Sequence, residues 1–206
     1  MSKRVRQHVN PLKSNFFTIA PAAVVSRAGV PMEVELGSAE AWFLMDRAKE
    51  EPAGHYVGVE IRRELVDKAN DECARAGLGQ VQNVFANISV DLPRLFQPGQ
   101  VRRFFVNFPD PWWKTKQQKR RVIDGDLFVA LHRLLEPGGE IHVATDIFDL
   151  ALEAMGELEM QTSHYRNVRA PWSFLPASPF AARSRRERQC EGDGSRIWRL
   201  GYQRLT

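Results

Sequence analysis

The sequence predicts an α/β fold, a doubly wound and mostly parallel sheet with helices on both faces. Three observations carry that prediction. Five short apolar runs recur between residues 32 and 145, helix-like stretches separate them, and the runs end on Gly, Pro, an acid or an amide. Strands spaced by helices of this length make βαβ units, and those build a parallel sheet.

Residues 32–36 (MEVEL) read as the first strand, ended by Gly37, and residues 40–49 as the first helix. The second strand is 56–61 (YVGVEI), followed by a polar-faced helix over 64–76 that Gly77 stops. A third strand spans 81–86, with a short helix toward Phe96 and a turn at Pro98-Gly99. Residues 101–108 (VRRFFVNF) form the fourth strand, which Pro109 and Pro111 end. A helix over 126–135 is closed by Pro137-Gly138-Gly139; a fifth strand follows at 140–145 and a helix at 147–158. The stretch 164–184, rich in Pro, Ser and Ala, reads as a long loop. Loops of that length in a compact domain are more often functional than idle.

A chain of 206 residues is one domain by size, here with a basic N-terminal extension over residues 1–29. With 43% hydrophobic and 26% charged residues it has the composition of a globular protein that buries a substantial core. No apolar run approaches the 18 or so residues that span a bilayer, which argues against a membrane partner. The basic start lacks an apolar core and a cleavage site, which argues against a secretory signal. Two isolated cysteines, Cys73 and Cys190, fit a reducing cytoplasm. The five histidines show no metal-ligand spacing, so no metal is expected. His132 and His142 are expected to pack or cap, and Arg62-Arg63 and Arg102-Arg103 to be surface pairs.

Charge is distributed unevenly. Residues 1–13, 114–121 and 183–188 hold 13 of the 29 basic residues and one acid, Glu187. The remaining 16 basic residues face 24 acids, so an acidic body carries three basic patches, the pattern of a protein that binds a polyanion at a defined place.

Ligands of doubly wound sheets bind beyond the carboxyl ends of the strands. Here those ends present Glu35, Glu60, Asn87, Asp110 and Asp146. Glu60 lies 23 residues after Gly37, near the spacing of roughly 20 at which an acid meets ribose hydroxyls. The turn Gly37-Ser38-Ala39-Glu40-Ala41 has a single glycine and an added acid, which suits a cationic adenosine cofactor better than a pyrophosphate. On this motif alone a plain strand-to-helix turn fits equally well.

The loop after the fourth strand is more specific. Asp110 stands between Pro109 and Pro111, which confine its backbone to extended conformations. Trp112 and Trp113 offer flat faces, and Lys114, Lys116, Lys119, Arg120 and Arg121 follow. Aromatics interleaved with cations beside a fixed acid suit an extruded nucleobase, guanine above all, because a carboxylate accepts from its N1 and N2 protons.

The run Asn107-Phe-Pro-Asp-Pro-Trp-Trp-Lys with Lys119-Arg120-Arg121 resembles the signature of the tRNA guanine-N7 methyltransferases. The likeness spans about residues 30–204. It includes Val34-Glu35-Leu36-Gly37, Gly58-Val59-Glu60, Leu95-Phe96-Gln97-Pro98-Gly99, Ala144-Thr145-Asp146 and a terminal strand at 197–204. The resemblance implies a Rossmann-like methyltransferase domain over 30–206 that methylates the variable-loop guanosine at position 46 of tRNA, as a monomer or weak homodimer. It implies S-adenosylmethionine contacts at Glu35, Gly37, Glu60, Asn87 and Asp110, with Asp110 also catalytic. Lys114, Asp146, Ser184 and Glu187 would hold the guanosine substrate, and Lys116, Lys119, Arg120 and Arg121 the RNA. Family members usually carry Gly-x-Gly-x-Gly in the first turn. The methyl groups of Ala39 and Ala41 therefore crowd the cofactor's approach and penalise any position that needs a positive φ. A tRNA-binding paralogue with impaired cofactor binding stays open as the second reading.

Overall fold

The computed structural model describes residues 23–24, 27–110, 123 and 125–206. Seven strands and six helices are found among them: β1 (Met32–Leu36), α1 (Trp42–Glu50), β2 (His55–Glu60), α2 (Arg63–Arg75), β3 (Val81–Phe85), α3 (Ile88–Leu95) and β4 (Val101–Asn107). α4 (Gly125–Leu134), β5 (Leu135–Thr145), α5 (Phe148–Glu159), β6 (Tyr165–Asn167), α6 (Arg185–Asp193) and β7 (Trp198–Arg204) follow. The strands form one sheet in the order β3-β2-β1-β4-β5-β7-β6. The first five are parallel, and β7 runs antiparallel to both β5 and β6. The order reverses between β1 and β4, the switch point where such sheets open a crevice.

Alternation along the strands assigns the two faces. In β4, Phe104 and Val106 join Val34, Leu36, Val57 and Val59 in a core covered by Leu92 of α3, Phe128 and Leu131 of α4, and Met155 and Leu158 of α5. Phe105 points the other way, into a second core with Phe43 and Leu44 of α1, and Ala69 and Cys73 of α2. The same period of two turns Glu33 and Glu35 of β1 toward the α1 side, both buried. Glu33 is paired there by Arg47 of α1 (2.9 Å) and by Arg103 of β4 (2.7 Å). Arg102 bonds Glu51 at 2.9 Å. Arg102 and Arg103 are thus cross-element ties rather than free surface pairs.

The stretch read as a long loop contains β6, and its Val168 and Leu175 N–H groups bond β7 at Gly201 and Arg199. β5 begins at Leu135, five residues early, because Leu135 pairs Val101 before a register shift carries the chain through Pro137-Gly138-Gly139. His142 stacks at 5.6 Å on Phe105, and His132 at 4.3 Å on His164, so both pack as expected. Among the described residues no helix is long and apolar enough to cross a membrane.

Candidate active site

The crevice at the switch point is a cleft of about 630 Å³ between the first turn, the end of β4 and the start of α6. Glu35, Gly37, Ser38 and Ala39 line one wall, Asn107, Phe108 and Asp110 the second, and Ser184, Arg185 and Arg186 the third.

Glu35 reaches it from the end of β1. Asn107 Nδ2 donates to its Oε1 at 2.9 Å, while the buried Oε2 has no partner among the described residues. Burial, reinforced by the charges of Glu187 and Glu60 and opposed by the Asn107 bond, pushes its carboxyl up to about 8.

The first turn is held against β2. The Gly37 and Ser38 N–H groups both donate to the Val59 carbonyl, and the Ala39 N–H donates to Glu60 Oε2 at 3.0 Å. Gly58 makes this docking possible, because a Cβ there would stand 2.4 Å from Ser38 Oγ and 2.2 Å from Asn83 Oδ1. Gly37, Ala39 and Ala41 take φ of +81°, +48° and +59°. These alternate positions are left-handed, and two of them are filled by alanine at a strain cost of about 1 kcal/mol each.

Glu60 is buried behind this turn, and Arg62 closes on it with Nε at 2.8 Å from Oε1 and a terminal nitrogen at 2.8 Å from Oε2. Arg62 lines the cleft, so a residue expected on the surface belongs to the site. Phe108, the residue that turns β4 toward Asp110, has φ of +50°. Left-handed backbone at a bulky residue is strained and concentrates at functional sites.

The other expected site residues divide. Asn87 is buried as the N-cap of α3, its side chain accepting from the Ser89 N–H at 3.1 Å, and it does not line the cleft. Asp146 sits at the rim, paired to Arg186 at 2.6 Å. Ser184 caps α6, taking the Glu187 N–H at 3.2 Å, and Glu187 lies buried with Arg199 at 2.7 Å. The Ser-x-x-Glu spacing thus marks a helix start. Lys114, Lys116, Lys119, Arg120 and Arg121, with Pro111, Trp112 and Trp113, lie outside the described residues, as does most of the basic N-terminus.

A family model described as a putative methyltransferase matches residues 30–200. A tRNA (guanine-N(7)-)-methyltransferase of Synechococcus sp. (strain JA-3-3Ab) is 35% identical over 99% of this chain and 87% of its own length. The chain belongs to the tRNA (guanine-N7)-methyltransferase family. A second family member, from Microcystis aeruginosa, is 34% identical over 95% of each chain. Solved structures share the fold at low identity. An aminoglycoside-resistance methyltransferase, NpmB1, gives a TM-score of 0.53 at 17% identity over 85% of this chain and 87% of that one. A SAM-dependent O-methyltransferase from Thermotoga maritima gives 0.56 at 15% identity, over 85% and 60%. The fold is therefore the Rossmann-like methyltransferase sheet.

Proposed function

We propose that the chain transfers a methyl group from S-adenosylmethionine to N7 of the guanosine at position 46 of tRNA, in the cytoplasm. The observation that carries this reading is that one cleft is lined both by Glu35, whose buried Oε2 has no partner among the described residues, and by Asp110.

The residues present suit a cationic adenosine cofactor. Glu35 offers its positive end a buried carboxyl that ionises as the cation binds, and the turn is open at Gly37, where nothing lies within 4 Å of the place a Cβ would take. Glu60 stands where ribose hydroxyls would compete with Arg62. Asp110 completes the holding set from the second wall of the cleft, and Asn87 would act only from behind it, as the buried cap of α3. When bound, the cofactor supplies an electrophilic methyl on a sulfonium.

Guanine N7 has a lone pair and no proton, so its methylation needs no general base. Catalysis then rests on bringing nucleophile and electrophile into line, a contribution that reaches several kcal/mol. Asp110 would orient the guanine through its N1 and N2 protons and favour the cation electrostatically. Lys114, Asp146, Ser184 and Glu187 would seat the nucleoside, Glu187 from a buried place behind the Ser184 cap. Lys116, Lys119, Arg120 and Arg121 would meet the RNA backbone.

Asp110→Ala is the test: methyl transfer falls by at least a hundredfold while tRNA affinity stays within about threefold of wild type. Near wild-type activity would remove Asp110 from the mechanism. The alanines in the first turn favour one second reading, a tRNA-binding paralogue with weak cofactor affinity. Calorimetry with S-adenosylmethionine decides between them, because undetectable binding supports the paralogue.

A further inference from the structure

Outside the cleft, three aromatic side chains meet on the same sheet edge. Phe148 opens α5 two residues after Asp146, and Trp198 opens β7 directly opposite Thr145 in the antiparallel register. Phe174 comes from the strap that lies along β7. Their ring centroids are 4.5 Å apart for Phe148 and Trp198, and 4.9 Å for Phe174 and Trp198. Arg196 holds its guanidinium 3.9 Å from the Trp198 ring centroid. Phe174 and Trp198 are half-buried and Phe174 packs on the main core, whereas Phe148 is 45% exposed and Arg196 is exposed as well.

We propose that Phe148, Trp198 and Arg196 form a stacking platform for an unpaired base of the RNA substrate beside the base held in the cleft. The inference rests on the tRNA reading above. The chemistry points to a nucleotide rather than an apolar peptide or a lipid. An aromatic face stacks on any base, and a guanidinium layered on the indole offers both a second stacking plane and a cation for the adjoining phosphate. The location agrees, because Asp146, two residues before Phe148, pairs with Arg186, which lines the cleft. A nucleotide flanking the target would stack on the platform while its neighbour is turned into the cleft, giving the extruded base a second anchor.

The test uses the full chain with unmodified tRNA transcript and S-adenosylmethionine, reading tRNA affinity by fluorescence anisotropy and 7-methylguanosine formation in steady state. Phe148→Leu and Arg196→Ala should each weaken tRNA binding and raise KM for tRNA by about tenfold, with kcat and cofactor affinity within twofold of wild type. Phe148→Trp should retain wild-type affinity, because any aromatic can stack; Phe148→Leu keeps the apolar packing and so controls for a structural role. Unchanged KM in both weakening variants, while the wild type forms 7-methylguanosine, overturns the platform alone. Failure of the wild type to form 7-methylguanosine in tRNA overturns the substrate reading and the platform with it.

Discussion

Glu35 carries a proton at neutral pH that the unfolded chain has released, since burial pushes its carboxyl from 4.5 up to about 8. The sign of the linkage follows. The folded state binds more protons between those values, so this group's contribution is fully present below about 4.5 and is lost as pH rises through about 8. Glu35→Gln removes the titrating group but keeps the shape and the contact with Asn107. Thermal melts should show the variant gaining on wild type as pH is raised from 5 to 9; parallel curves for the two proteins would contradict a buried neutral acid. A cationic ligand prefers the ionised form, so wild-type affinity for S-adenosylmethionine should rise with pH up to about 8 and flatten above it. The glutamine variant should lose that slope.

The first turn shows at the level of an element why an alanine can be read in the sequence while its conformation cannot. Ala39 and Ala41 hold left-handed φ, which glycine adopts freely. Changing both to glycine should leave Tm unchanged or raised and tighten cofactor binding. The same change at exposed Ala74, in the last turns of α2, should cost about 0.5–1 kcal/mol. Equal losses at the turn and at Ala74 would show that the turn is unstrained. Gly58→Ala is the converse case, expected to expel the turn from β2 and lower both Tm and cofactor affinity. The strands and most helices were legible because apolar runs and glycine or proline stops are local signals. β6 and α6 were not legible. β6 is three residues long and exists only through pairing with β7, and α6 is so polar that only its Ser184 cap and the buried Glu187 and Cys190 mark it. Arg62 was misplaced for a related reason, since its partner Glu60 is set by the fold and not by the pattern around it.

Over the whole molecule, Arg183, Arg185, Arg186 and Arg188 are each paired with an acid, so the basic stretches 1–13 and 114–121 of the sequence are the ones expected to give tRNA binding a steep dependence on salt. Replacing Lys119, Arg120 and Arg121 together by alanine should reduce the slope of log affinity against log salt by about two to three, roughly one per lost phosphate contact. An unchanged slope would place the RNA elsewhere. The strand-end acids at the switch point were readable from order alone, because a parallel sheet must deliver its carboxyl ends to one edge. Which of them share a cleft was not readable. Glu35 and Asp110 line it, while Glu60 is held behind the first turn by Arg62, Asn87 caps a helix and Asp146 pairs with Arg186. The central claim is the reaction itself, and nucleoside mapping of unmodified tRNA incubated with the protein and labelled S-adenosylmethionine tests it most directly. Label recovered as 7-methylguanosine at position 46, and absent with Asp110→Ala, is the predicted result; no incorporation, or label in a different nucleoside, would contradict it.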